Sequence, residues 1–488
     1  MSHFRNLGDL IPRERDLSKT AIIAYDGSRE RAFSYAEIDR MAKGVARALT
    51  VRGLKRGDRV AILAANSAEY VAAYFGIMRA GFVAVPVNFK FPPATIGLIL
   101  RDCGAKLVFC DAPRRQSCPP GLPAAVFGGE GAESFEAFLD AGEFETVIPD
   151  PNDPAMFLYT SGSTGIPKGV VLSHASHIWV VETRLKGQDV SAQRFLIAAP
   201  LYHMNALALI KLVTAGYATA VLLPQFVAST YIKAIGKFHC TWLTAVPPMI
   251  AMMLREQDLL KKIDLYSVQF VRMGSAPVSA KLMADLHRML PQAKVTNAYG
   301  TTEAGPVVFG PHPKGLPQPD NSVGYPHPAV QVRLVEGEGR ETNEGELEMK
   351  SPAIMLGYHN RPDVKTPITP DGFYYFAGRT DDMFVSGGEN IFPADVERML
   401  ENHPDVAQAA VVPIDDEIKG QKPVAFIIPK EGHQPDPDEI KQFALKNAPA
   451  YQHPRFVWTL DHLPLASTNK LDRGELRRMA AARLKQTA

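Results

Sequence analysis

The stretch that most restricts how this chain can fold is an apolar segment, residues 155–159, that runs straight into Thr160-Ser161-Gly162-Ser163-Thr164-Gly165-Ile166-Pro167-Lys168 and out into a second apolar segment, residues 169–172. Both flanks read as strands. Glycines and small hydroxyl residues let backbone N–H and side-chain O–H groups approach an anion such as a phosphate chain closely, and the one lysine adds compact positive charge. The spacing is not that of the common nucleotide phosphate loop. Five residues beyond Gly162 stands Pro167 in place of glycine, Lys168 is followed by Gly169 in place of a hydroxyl residue, and the common loop opens a helix, not a second strand. Taken alone, the stretch fits a nucleotide loop of another kind or an ordinary surface turn.

On either side, strand and amphipathic helix alternate. The pattern predicts a helix over 35–51, a strand over 59–64, a helix from near Ser67, a helix over 176–184 capped by Ser173, and strands over 218–223, 242–246 and 268–273. Such alternation suggests a parallel sheet with covered faces. Residues 111–154 lose periodicity and read as a peripheral connection, whereas 324–358 reads as a β-rich subdomain. A compact strand and helix pattern follows, with a domain boundary near Asp381.

With 488 residues the chain has room for two or more units with large cores. Its 53 basic residues balance 52 acidic ones, so no nucleic acid or acidic membrane surface is implied as partner. The four cysteines, Cys103, Cys110, Cys118 and Cys240, form no CxxC pair, too sparse for a disulfide framework or a zinc site. The start lacks an apolar signal core and no apolar run is long enough to span a bilayer. The expectation is a soluble cytoplasmic protein.

Three further stretches carry candidate chemistry. Asn297-Ala298-Tyr299-Gly300-Thr301-Thr302-Glu303 offers an aromatic to stack on a base, hydroxyls for a phosphate, and a carboxylate as a hard ligand for Mg²⁺; a strand-to-helix turn with a solvated Glu303 fits as well. In residues 378–390, Arg379 could hold a ribose or phosphate beside the paired Gly387 and Gly388, or belong to a salt-bridged linker. Lys470 sits in a polar turn near the C-terminus, where a plain surface lysine is the default.

The four stretches in this order resemble the adenylate-forming superfamily of acyl-CoA synthetases, aryl-CoA ligases, luciferase and peptide synthetase adenylation domains, in its AMP-forming acyl-CoA ligase branch. The resemblance covers residues 21–473. It implies an α/β fold: a large N-terminal domain, residues 1–380, of two α/β-covered sheets plus a small β-barrel-like subdomain, then a small mobile α+β C-terminal domain, residues 381–488. It also implies ATP, Mg²⁺ and coenzyme A as co-substrates and cofactor of an acid–thiol ligase acting through an acyl adenylate. Thr160, Ser161, Gly162, Ser163, Thr164, Gly165 and Lys168 are similar to the family's phosphate loop, and Gly274, Ser275, Ala276, Pro277, Asn297, Ala298 and Tyr299 to its adenine site, with Gly300 and Thr301 also among the implied cofactor-binding residues. Thr302 matches the α-phosphate contact, Glu303 the Mg²⁺ ligand, Arg379 the ribose arginine, Asp381 the hinge and Lys470 the catalytic lysine. Gly387 and Gly388 border the implied pantetheine tunnel. His203 and Met204 match a segment beside the acyl pocket, which Ala206, Pro247 and Met249 would extend, although apolar residues so spaced are more often core. Fatty acids of medium or long chain come first as substrate and aromatic acids second. Loading of a carrier protein and a catalytically impaired ligand-binding homologue are the alternatives, and a homodimer is common among relatives.

The sequence departs from the family at Thr369-Pro370-Asp371-Gly372-Phe373-Tyr374-Tyr375-Phe376-Ala377-Gly378-Arg379, where two similar words are fused and the aspartate that should hold the ribose hydroxyls has no counterpart. Residues missing from the recorded sequence, a true deletion, or compensation by another acid each account for it; the intact flanking motifs favour the first. A deletion would cost about 1.5–3 kcal/mol of ATP binding. Gln452 stands where many relatives have a lysine for coenzyme A, and the surroundings of Lys470 resemble those of bacterial synthetases silenced by lysine acetylation, with Asn469 replacing glycine.

Overall fold

The computed structural model describes residues 4–160, 167–274, 278, 280–310, 312, 314–319, 322–336, 340–343, 346–360, 374–375, 382–386, 389–416, 420–448, 450–466 and 471–487. Ser34 and Glu37 start the first helix reciprocally: the Ser34 hydroxyl accepts from the Glu37 N–H and the Glu37 carboxylate from the Ser34 N–H, so Tyr35–Val51 begins with two otherwise free donors satisfied. Ser67 caps Ala68–Arg79 and Ser173 caps His174–Leu185 in the simpler way, each hydroxyl accepting one backbone N–H.

These helices cover two seven-stranded sheets. The first runs Gly357–Tyr358, Lys168–Ser173, Pro154–Thr160, Val83–Pro86, Arg59–Leu63, Leu107–Asp111, Ala124–Phe127. It is parallel except where Lys168–Ser173 pairs antiparallel with both neighbours. The second runs Lys294–Ala298, Phe270–Gly274, Trp242–Ala245, Arg194–Ile197, Thr219–Leu222, Thr20–Tyr25, Glu30–Ser34, parallel but for its last pair. The stretch 111–154, expected to be mere connection, contributes Ala124–Phe127 to the first sheet's edge, in register with Cys110 at Val126. Four residues between Pro and Gly are too few to show a period. Two three-stranded antiparallel sheets stand where the barrel-like subdomain was expected. The smaller C-terminal domain is built on the long pair Val406–Asp416 and Gly420–Pro429, with its own core of Val396, Leu400, Val411, Ile427, Ile440 and Ala444. The boundary expected at Asp381 lies outside the described residues. Among the described residues no helix is long and apolar enough to cross a membrane.

A charged cluster is buried under the N-terminal segment. Arg79 is 0% exposed; its Nη1 lies 2.8 Å from Asp39 Oδ1, and its Nε donates to the Gly8 carbonyl at 3.0 Å. Arg13 and Lys43 reach the same Asp39 at 3.0 and 3.2 Å, and Asp9 stands 3.6 Å from Arg79. Gly8 is required there: a Cβ would lie 2.3 Å from the Arg79 nitrogen and the Phe75 carbonyl.

A second buried polar pair lies between helices His174–Leu185 and Met204–Ala215. Lys211 and His177 are both 0% exposed, with Lys211 Nζ 3.2 Å from His177 Nδ1. Burial lowers the Lys211 pKa from 10.5 to about 7. Below about pH 7 the amine is charged in both folded and unfolded chains and the burial cost is full; between 7 and 10.5 only the unfolded chain holds the proton, so stability rises with pH across that window. The double substitution Lys211→Met, His177→Leu is therefore expected to stabilise the N-terminal domain at pH 6.5 by about 1–3 kcal/mol, with the gain shrinking at pH 9.5. Urea unfolding at the two pH values measures it, and a gain that grows with pH would contradict the account.

Candidate active site

Strands Pro154–Thr160 and Lys168–Ser173 pair antiparallel with Thr160 opposite Lys168 and Tyr159 opposite Gly169, so the glycine-rich loop leaves and re-enters the sheet at one point. Ser161, Gly162, Ser163, Thr164 and Gly165 lie outside the described residues. Lys168 Nζ sits 5.7 Å from the centroid of the Tyr358 ring, and the Tyr358 hydroxyl donates to Glu303 Oε1 at 2.9 Å. One tyrosine thus joins the candidate phosphate-loop lysine to the candidate metal carboxylate.

Tyr358 holds this place because its segment is pinned on both sides. Gly357 and Tyr358 pair with Val171 and Val170. The Met355 N–H donates to the Glu303 carbonyl at 2.7 Å, Leu356 to Val171 at 2.8 Å and His359 to Gly169 at 2.7 Å. The Glu303 loop is tight in itself. Thr301 bridges Gly305, the Thr301 hydroxyl accepts from the Ala304 N–H at 2.9 Å, and a Cβ on Gly300 would fall 2.6 Å from the Gly305 carbonyl.

The second sheet ends at the same place. Gly274 pairs with Ala298 and Met273 with Asn297, and a Cβ on Gly274 would stand 2.7 Å from the Ala298 carbonyl, so the neighbouring strand approaches as only glycine permits. Asn297 donates to the Ser322 carbonyl at 3.3 Å, and Gln318 returns a bond to the Asn297 carbonyl at 3.1 Å. The Tyr299 ring packs edge-on against Phe309, centroids 5.6 Å apart. Thr302 lies between Thr301 and Glu303 in the same turn. Ser275, Ala276 and Pro277 lie outside the described residues.

His203 precedes helix Met204–Ala215, its ring edge-on to Tyr202 at 4.6 Å; Tyr202 in turn meets Phe89 at 5.3 Å. Asn66 fixes this segment by accepting from the Leu201 N–H at 2.8 Å while donating to the Ala199 and Leu223 carbonyls. Met204 is buried, and Ala206 and Met249 belong to core clusters.

Arg379, Asp381, Gly387, Gly388 and Lys470 lie outside the described residues, as do residues 369–373 and 376–379 of the fused segment. The described residues flanking Lys470 pair with one another: Leu465 bridges Leu471 antiparallel and the Asp472 N–H donates to the Pro464 carbonyl at 2.9 Å. Next to it, Arg473 forms a two-pronged pair with Glu397 at 2.5 and 3.1 Å and donates to the Val411 carbonyl at 2.7 Å. Sequence reasoning missed Tyr358, Asn66 and Arg473. Only the adjacency of Arg473 to the Lys470 motif was a signal.

The AMP-binding enzyme family model matches residues 13–359, and the AMP-binding enzyme C-terminal domain model matches 395–470. The chain belongs to the AMP-binding enzyme family. Similar to this AMP-binding enzyme are a fatty acid–[acyl-carrier-protein] ligase, ScoC, of Streptomyces coeruleorubidus, 31% identical over 92% of this chain and 91% of the relative, and a feruloyl-CoA synthase of an Amycolatopsis species, 32% identical over 92% and 94%. The crystal structure of the anthranilate CoA ligase AuaEII in complex with anthranoyl-AMP superposes with a TM-score of 0.86 at 26% identity, covering 99% of each chain. This AMP-binding enzyme is therefore an AMP-forming ligase of the acyl- and aryl-CoA ligase family, with the large and small mixed α/β domains of that fold.

Proposed function

We propose that this enzyme condenses a carboxylic acid with ATP to give an acyl adenylate and pyrophosphate, and then transfers the acyl group to the thiol of coenzyme A with release of AMP. The observation that carries this reading is the Lys168–Tyr358–Glu303 arrangement, which places a cation and a carboxylate at the mouth of the glycine-rich loop. In the first step a carboxylate approaches an α-phosphate, anion against anion, so charge has to be neutralised where it builds up. Lys168 serves the departing pyrophosphate, the Thr302 hydroxyl the α-phosphate, and Lys470 the attacking side; no general base is needed for that attack. Glu303 fits Mg²⁺, which takes one or two carboxylates and completes its shell with substrate phosphates; no group of three or more potential ligands occurs among the described residues. When bound, Mg²⁺ supplies Lewis-acid charge for the phosphates. Tyr358 orients the Glu303 carboxylate through its hydroxyl, and Tyr299 offers its face to adenine. His203 stands at the start of its helix to orient the acid.

For the acid, our reading reverses the order expected from sequence. Arg272 and Thr244 occupy adjacent strands beside the nucleotide edge, a poor bed for a long alkyl chain, so an aromatic or short acid stands ahead of a fatty acid. A pantetheine-bearing carrier protein in place of free coenzyme A is the second reading, supported by the likeness to ScoC. The test is incubation of the purified chain with ATP, Mg²⁺, a panel of carboxylic acids, and either coenzyme A or a loaded carrier protein, followed by mass spectrometry. Acyl-CoA and AMP in equal amounts are expected; acyl-carrier product alone selects the second reading, and no product from any acid refutes both.

A further inference from the structure

Beside the nucleotide edge stand two arginines that the adenylation chemistry above does not use. Arg184 lies in the last turn of helix His174–Leu185, and Arg272 on strand Phe270–Gly274, two residues before the candidate adenine-site Gly274. Val271 and Met273, the alternate residues of that strand, point into the core under helices Pro247–Arg255 and Ala280–Met289, so Arg272 leaves from the opposite face. There its Nη2 donates to the Pro306 carbonyl at 3.1 Å, which places the guanidinium at the loop that follows Glu303. The same loop packs Val307 with Val180 of the Arg184 helix.

Burial, and after it the Arg272 charge, push the Arg184 pKa well below the usual arginine range, and burial lowers that of Arg272. Both residues are half-buried. Among the described residues no carboxylate lies within ion-pair distance of either. Thr244 is in register with Arg272 on the neighbouring strand and shares its face; its hydroxyl is buried, the residue being 3% exposed, and has no hydrogen-bond partner among the described residues. Gly274, also on that face, adds no side chain to cover them.

Two like charges near one another and an unanswered hydroxyl beside one of them are costly to hold unless something from outside answers them, because a guanidinium cannot shed its proton. A carboxylate answers all three: it accepts forked pairs from arginines and a further bond from a hydroxyl. The reacting carboxylate is ill suited to that place, since full pairing would quench the lone pairs that must attack phosphorus. We propose that the acid this enzyme activates is a dicarboxylic acid, whose second, unreacting carboxylate is held by Arg184, Arg272 and Thr244. This rests on the acid–CoA ligase reading and adds the substrate class to it.

The experiment compares matched acids, benzoate with 1,4-benzenedicarboxylate and hexanoate with adipate, on the full chain with ATP, Mg²⁺ and coenzyme A. In at least one pair the diacid is expected to exceed its monoacid in kcat/KM by about 10- to 100-fold. Arg184→Gln and Arg272→Gln are each expected to remove that preference through the KM for the acid, with the KM for ATP unmoved. Both are also expected to raise the melting temperature of the ligand-free enzyme, since each removes one of two repelling buried charges. Thr244→Val, a near-isosteric change, is expected to weaken the preference by a smaller factor and serves if either arginine variant fails to fold. Monoacids turned over as well as diacids by the wild type overturn the inference and leave the ligase reading standing; so does an arginine variant whose loss falls on ATP. No product from any acid removes the ligase reading and the inference with it.

Discussion

Alanine at position 470 is expected to lower the rate of acyl-adenylate formation by about 10²- to 10³-fold, the cost of removing one preorganised charge from a developing anion. The described residues on either side of the Lys470 segment are tied together by the Leu465–Leu471 bridge, and Arg473 is held to helix Pro393–Glu401 and strand Val406–Asp416 through Glu397 and the Val411 carbonyl. The second step has a different charge balance, because a thiolate attacking an acyl adenylate expels AMP and needs no cation on the incoming side. Lys470→Ala is therefore expected to convert supplied acyl adenylate to thioester at close to the wild-type rate. Isotope exchange between pyrophosphate and ATP reports the first step and thioester release the second. Equal loss of both would remove Lys470 from the role given to it here.

Replacing Asp39 by alanine is expected to destabilise the N-terminal domain by about 3–5 kcal/mol, the range for leaving a buried charge without its partner. Arg79 is fully enclosed and Asp39 is its nearest carboxylate, at 2.8 Å, against 3.6 Å for Asp9. Burial pushes the carboxyl pKa values of Asp39 and Asp9 up, but the Arg79 and Arg13 charges and hydrogen bonds outweigh it and hold both below the ordinary 3.8. With folded pKa values depressed, the stabilisation is present in full well above pH 4 and is lost as pH falls through the folded values. Wild-type unfolding should accordingly steepen in acid, and Asp39→Ala should flatten that dependence. Denaturant titrations at pH 7 and pH 3 of both proteins measure it. A variant with wild-type stability at pH 7 would mean that Asp9 alone balances Arg79.

Periodicity and caps carried the fold a long way. The helix expected over 35–51 forms over those residues, the helix expected from near Ser67 starts at Ala68, Ser173 caps as expected, and the strands around the glycine-rich loop extend by one residue at each end. These are local properties, written in apolar spacing and in hydroxyls before helices. Ala124–Phe127 escaped because an edge strand of four residues has no period of its own. The candidate site could be proposed from sequence where its residues are contiguous, as in 297–303, and not where it depends on residues brought from afar. Tyr358 lies 55 residues from Glu303 along the chain. Nothing in Gly357–Tyr358 announces an antiparallel pairing with residues 170 and 171. Arg184 and Arg272 come from a helix and a strand of different units, and each alone reads as an ordinary surface arginine.

The short strap formed by residues 355–359 has a further consequence. Its backbone bonds reach Glu303 on one side and Gly169 and Val171 on the other, so the spacing between the two candidate phosphate-handling elements is gauged by a separate ruler. A loop chosen for how closely its amides can approach an anion pays with backbone entropy, and such a loop makes a poor gauge. Here tolerance and accuracy are assigned to different pieces of chain. Insertions or exchanges within the glycine-rich loop should alter affinity gradually, whereas a one-residue change of length between Ala353 and His359 should displace the proposed metal carboxylate, Glu303, from the proposed phosphate loop altogether.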